Sequence, residues 1–112
     1  MPLVDLNKIA AIEIVPGYHA RFVHSDNMTV AHWQIEQDAA LPEHSHPHEQ
    51  IVNVISGEFD LTVNGVIFHL VPGNVFVIPG GVPHAGKAVT PCHLIDVFHP
   101  VREDYRSIPA PG

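Results

Sequence analysis

The chain has 112 residues, so a single domain with a modest core is the expectation. Its formal charge is −7 with only five lysines and arginines, which argues against a nucleic-acid surface and against an anionic membrane surface. One cysteine excludes an intrachain disulfide, and ten histidines are the outlying number in an otherwise ordinary composition.

Residues 5–12 carry a plausible cap and a turn or so of helix formers, and eleven prolines discourage any longer helix. Short strands are expected at 12–15 and 19–24, on either side of Pro16-Gly17. Residues 28–36 alternate, with Thr29, Ala31, Trp33 and Ile35 on one parity and Val30, His32, Gln34 and Glu36 on the other. Residues 50–56 are rich in Val and Ile. Strands at 58–63 and 66–71 flank Asn64-Gly65, a strong two-residue hairpin signal. After the turn at Pro72-Gly73-Asn74 come a strand at 75–78, a loop at 79–83, strands at 85–89 and 93–98, and an extended tail from Pro100. Eight or nine short strands with frequent turns make an antiparallel sandwich or small barrel. The start of the chain has no basic stretch followed by an apolar core, and no apolar run approaches a membrane span, so a cytoplasmic location is expected.

The stretch Pro42-Glu43-His44-Ser45-His46-Pro47-His48-Glu49-Gln50 concentrates the chemistry. On a regular strand His44, His46, His48 and Gln50 share one face, while Glu43 and Glu49 point the other way. His84 follows a second Gly/Pro-rich loop. Imidazoles on one face can converge on one metal ion. His44-Ser45-His46, three residues, Gln50, six residues and Gly57 make one spaced motif. Gly73, five residues, Pro79, Gly81 and His84 make another, fifteen residues later. Together they resemble the two motifs of the cupin superfamily. The resemblance implies an all-β cupin fold: a double-stranded β-helix, or small jelly-roll-like barrel. It is expected as one domain over 1–112, with a metal-binding core at about 28–99 and an extended tail at 100–112. It implies a divalent transition metal (Ni, Zn, Mn or Fe) held by His44, His46, Gln50 and His84, with His48 as a bystander and Glu49 excluded. Three His and a neutral Gln leave the ion's charge uncancelled, favouring polarisation of a substrate oxygen over activation of dioxygen.

The last strand reads His93-Leu94-Ile95-Asp96-Val97-Phe98, and Arg102 follows it. Asp96 interrupts an otherwise apolar strand and shares a face with Leu94 and Phe98. If that face lines the barrel, its carboxyl is a proton donor or acceptor; the blander alternative is a structural ion pair of Asp96 with Arg102 at the rim. Asp96, Phe98 and Arg102 at this spacing, together with the Gln ligand, look like the signature of the KdgF-type pectin-degradation cupins. That resemblance implies an enzyme opening 4,5-unsaturated uronates from pectin or alginate into linear keto acids. Asp96 and Arg102 are then catalytic, Arg102 and Phe98 bind substrate, and the partner is a small anionic sugar acid. Tyr105 and His48 are rim positions. A cupin dioxygenase and a non-catalytic sugar-acid sensor are the alternatives; the sensor is disfavoured by the lack of an attached DNA-binding segment. A homodimer through edge strands is also expected.

Overall fold

The computed structural model describes residues 2–108. Among these residues ten strands form two antiparallel sheets. They are β1 (Ile12–Val15), β2 (Tyr18–His24), β3 (Thr29–Ile35), β4 (Ala40–His44), β5 (Glu49–Ser56), β6 (Phe59–Val63), β7 (Val66–Leu70), β8 (Val75–Ile78), β9 (His84–Ala88) and β10 (Cys92–His99). One sheet runs β1-β2-β3-β10-β5-β8 and the other β4-β9-β6-β7. The all-β cupin architecture expected from the two motifs is the one observed.

Alternation builds the core. In β3, Thr29, Ala31, Trp33 and Ile35 are all buried, and in β10 Cys92, Leu94, Asp96 and Phe98 are buried while their neighbours are half-buried or exposed. β10 lies between β3 and β5, so its inner face meets the second sheet at the centre of the molecule. Phe59, Leu61 and Val63 of β6 and Leu70 of β7 close the core from the opposite side. Tyr18 and Ala20 of β2 also belong to it.

Four expectations are corrected. Only a single 3-10 turn, Leu6–Lys8, forms in the N-terminal segment, with the Asp5 carboxylate accepting from the Asn7 amide. β4 appears where no strand was expected, because its residues are mostly exposed at a sheet edge and show no apolar alternation. The stretch from His44 to Gln50 is not one strand: β4 ends at His44 and β5 starts at Glu49 in the other sheet. Pro47 lacks the amide hydrogen a ladder needs, and the chain crosses between sheets there. Finally, the tail is not wholly extended. Helix α1 (Glu103–Arg106) forms one turn, supported by Arg106 Nε and Nη2 donating to Glu103. Residues 109–112 of the expected tail lie outside the described residues.

Candidate metal centre

His44 ends β4 and His84 begins β9, where the two are direct cross-strand partners with ring centroids 4.3 Å apart. His46 comes from the loop after β4, and its ring lies 4.9 Å from that of His84. One nitrogen from each of the three rings falls within 4.8 Å of the others, so the triad could hold one ion. The loop carrying His46 is seated on the Gly-rich loop before β9. Gly81 N–H donates to His46 O at 2.8 Å, and a Cβ on Gly80 would sit 2.3 Å from Pro47 O, so only glycine permits that approach.

The three imidazoles share one hydrogen-bond arrangement. His44 Nδ1 bonds Pro42 O at 2.8 Å, His46 Nδ1 bonds His48 O at 3.1 Å, and His84 Nδ1 bonds Val82 O at 2.9 Å. Each Nδ1 must carry the proton to donate to a carbonyl, which leaves each Nε2 with its lone pair free. Burial, reinforced by the nearby Arg102 charge, holds the His46 pKa down at about 4, and burial lowers that of His84. The His46 and His84 rings are therefore held neutral and ready to ligate. His84 Nε2 is buried and makes no hydrogen bond, as a ligand atom facing an ion would be. These observations fit a transition-metal site.

Gln50, buried on β5, completes the cluster from the opposite sheet. Its Oε1 lies 3.2 Å from His46 Nε2, and its Nε2 donates to Asp96 Oδ2 at 3.0 Å. This pairing explains an amide at this position. A Glu here would set two buried carboxylates within hydrogen-bond distance, and one of them would have to take up a proton. Glu49 is exposed on the other face and contributes nothing to the cluster.

Asp96 points inward. Burial drives its pKa up to about 7, while the neighbouring Trp33 indole, the Gln50 amide and the Arg102 charge pull the other way. Arg102 does not pair with it. Arg102 Nε and Nη2 donate to Asp104 Oδ1 and Oδ2 at 3.0 and 2.7 Å, and the guanidinium lies between the rings of Phe98 (4.8 Å) and Tyr105 (4.0 Å). The rim pairing of Asp96 with Arg102 is thus replaced by a clamp local to α1, which leaves Arg102 Nη1 outside the Asp104 pair. Its pKa rises because hydrogen bonding to Asp104 and the charges around it outweigh burial. His48 stands beside the cluster, its ring 5.4 Å from that of His46, and supports it through its carbonyl.

The three histidines, Gln50, Asp96, Phe98 and Arg102 line one cavity of about 40 Å³, together with Tyr18, Trp33 and Tyr105. Tyr18 and Trp33 were not marked as site residues by their sequence context. Their places follow only from which strand faces end up opposed. A second group, Glu13, His19 and Glu36, also brings three ligand-type atoms together, but at the surface. There His19 Nε2 is already engaged, at 2.8 Å from Glu36 Oε2 and 3.4 Å from Glu13 Oε2.

The cupin domain model matches residues 31–98. The HTH-type transcriptional regulator PuuR of Escherichia coli (strain K12) is 37% identical over 57 residues, which are 49% of this chain and 31% of that protein. The chain therefore spans about a third of the length of the curated relatives it matches. Among solved structures, KdgF from Halomonas sp. superposes with a TM-score of 0.84 at 27% identity, covering 88% of this chain and 93% of that one. An RmlC-like cupin from Shewanella frigidimarina NCIMB 400 gives 0.84 at 30% identity, covering 88% and 90%. Salicylate 1,2-dioxygenase from Pseudoaminobacter salicylatoxidans gives 0.74 at 18% identity, over 77% of this chain and 27% of that one, a likeness of fold alone.

Proposed function

The chain belongs to the cupin domain family, and from that premise we propose that it is a metal-dependent enzyme. Its reaction is the opening and ketonisation of 4,5-unsaturated uronate monosaccharides from pectin or alginate breakdown. One observation carries this reading: His44, His46, His84, Gln50, Asp96, Phe98 and Arg102 all line a single cavity, as a KdgF-type site requires. Similarity in fold to KdgF from Halomonas sp. supports it.

His44, His46 and His84, with Gln50 Oε1, would hold the ion. A bound divalent Ni, Zn, Mn or Fe would supply Lewis acidity toward a substrate oxygen. Arg102, held in one orientation by Asp104, presents Nη1 to the uronate carboxylate. Asp96 then moves one proton. It accepts the hydrogen of the ring hemiacetal hydroxyl as the ring C–O bond breaks, and returns a proton to the alkene carbon as the enol becomes a ketone. Atoms balance, because the product is an isomer of the substrate. A carboxyl with a pKa near 7 suits a group that must both take and give a proton near neutrality. Phe98 walls the site against water.

Metallated protein mixed with monomeric unsaturated uronate should speed the loss of ultraviolet absorbance from the conjugated double bond. A rate equal to the spontaneous one would sink the proposal. A second reading, a non-catalytic sugar-acid sensor, is favoured by the match to part of PuuR, a transcriptional regulator. Saturable uronate binding with no change in absorbance would select it. The dioxygenase alternative gains nothing from a likeness of fold alone, and the neutral Gln50 does not favour it. A homodimer fits the exposed Val66, Ile67, Val75 and Val77 on the edge strands β7 and β8, one from each sheet, and a monomer-sized elution on gel filtration would remove it. The buried free thiol of Cys92 suits a reducing cytoplasm.

A further inference from the structure

Lys8, Arg21 and Arg106 are three of the chain's five lysines and arginines, and all three line one groove of about 420 Å³. No acidic residue lines it, although the chain's formal charge is −7. Its size is that of a small-molecule site. No candidate metal ligand borders it, and Tyr105 alone is shared with the metal cavity. A short first strand opens the groove. β1 pairs with β2 only as far as Ile12 opposite Ala20, so residues 22–24 of β2 have a neighbouring strand, β3, on one side alone. Glu36 N–H to Gly17 O and Ser25 N–H to Met28 O, both 2.9 Å, mark the two ends of the β2–β3 ladder. Odd-numbered residues of β2 therefore bond β3, and the amides of Phe22 and His24 face the side that β1 leaves open.

The cations of the groove are not neutralised from within. Among the described residues the only ion pairs of lysine or arginine are Arg102 with Asp104 and Arg106 with Glu103. Lys8 and Arg21 therefore have no carboxylate partner there. Arg21 Nε donates to Ile9 O at 2.7 Å, which fixes the guanidinium and leaves Nη1 and Nη2 for a ligand. Beside these charges lies hydrocarbon: Ile9, Ile12, Ile108 and the stacked rings of Phe22 and Tyr105, 4.5 Å apart. An inorganic anion would leave that hydrocarbon wet. A neutral apolar molecule would leave two cations unanswered, and a cation would be repelled. We propose that the groove is a second ligand site, separate from the metal cavity, for a small organic acid. Its anionic head meets Arg21 and Lys8, and its hydrocarbon body lies on Phe22 and the isoleucines. The site does not depend on the uronate reading.

Hexanoate is the simplest probe with both halves. Titrated into zinc-loaded, nitrogen-15-labelled protein, it should shift the Ile9, Ala10, Phe22 and His24 amide resonances saturably. Acetate lacks the body and hexanamide the charge, and each should bind at least roughly fivefold more weakly. Lys8→Gln changes an exposed side chain that carries no fold contact to lose, and it should weaken hexanoate by roughly threefold or more. Arg21→Gln should weaken it further; if that variant fails to fold, Lys8→Gln decides alone. Shifts confined to the His46, Gln50 and Asp96 amides would put hexanoate in the metal cavity and overturn the second site. Equal binding of hexanamide, or an affinity unchanged in Lys8→Gln, would overturn it too. So would a peptide of alternating Glu and Val that binds where hexanoate does not, since the groove would then be an edge for an acidic strand.

Discussion

Among the described residues two triads bring metal-capable atoms within reach of one another, and they are built in opposite ways. Glu13, His19 and Glu36 meet at the surface, where His19 Nε2 already has two carboxylates as partners. His44, His46 and His84 meet inside the barrel mouth, where backbone carbonyls hold all three Nδ1 atoms and no partner takes His84 Nε2. The outer triad has satisfied itself. The inner one has its tautomers set in advance and its lone pairs kept free. Proximity of ligand atoms is common to both, so preorganisation is what distinguishes a candidate centre from a surface ion pair.

The largest break in this contrast comes from His84→Ala. It should abolish stoichiometric metal content, measured by atomic emission on purified protein, and with it any uronate turnover. Next, Asp96→Asn keeps an acceptor for the Gln50 amide but removes the proton carrier, so turnover should fall by about two orders of magnitude or more in the ultraviolet assay. The same variant sharpens the picture through pH. The Asp96 pKa is raised from 3.8 to about 7 on folding, so metal-free wild type loses stability as pH climbs through that window. His46 does the opposite: its pKa is lowered from 6.5 to about 4, so stability falls as pH drops from 6.5 toward 4. The midpoint advantage of Asp96→Asn over wild type should therefore grow from pH 4 to pH 7 and then level off, and a constant offset would contradict it. A third variant, Gln50→Glu, places a second acid beside Asp96. It should lower the thermal midpoint of metal-free protein at pH 8 more than at pH 5. The smallest effect belongs to the outer triad. His19→Ala should leave metal content unchanged and shift stability by only about 0.5 kcal/mol, as exposed pairs do. Loss of metal in that variant would erase the contrast.

The inner faces of β3 and β10 were readable because each has one buried side, and period-two alternation registers that. β4 was not, because Pro42 and Glu43 sit in an edge strand with little to bury. The seven residues from His44 to Gln50 are instructive. Strand parity placed four of them on one face, yet the chain changes sheets at Ser45 to His48. Gln50 nevertheless lies beside His46, because motif spacing encodes a three-dimensional arrangement that parity does not. The clamp on Arg102 was legible only in part. Asp104 is two residues away, but the turn that brings its carboxylate back depends on the packing of Tyr105 against Phe22 at 4.5 Å. Tyr18 and Trp33 carry no local signal at all: a buried aromatic in a strand reads as core until the opposite sheet is in place.

The crossing of the candidate ligands between sheets has a kinetic consequence. His44 and His84 belong to the four-stranded sheet and Gln50 to the six-stranded one, with His46 on the loop that joins them. An ion held by all four would be a rivet through both layers, and its escape would require the layers to part. Its residence time would then be set by how often the barrel breathes, and the Gly81 amide, bonded to His46 O, would exchange its hydrogen on the same clock.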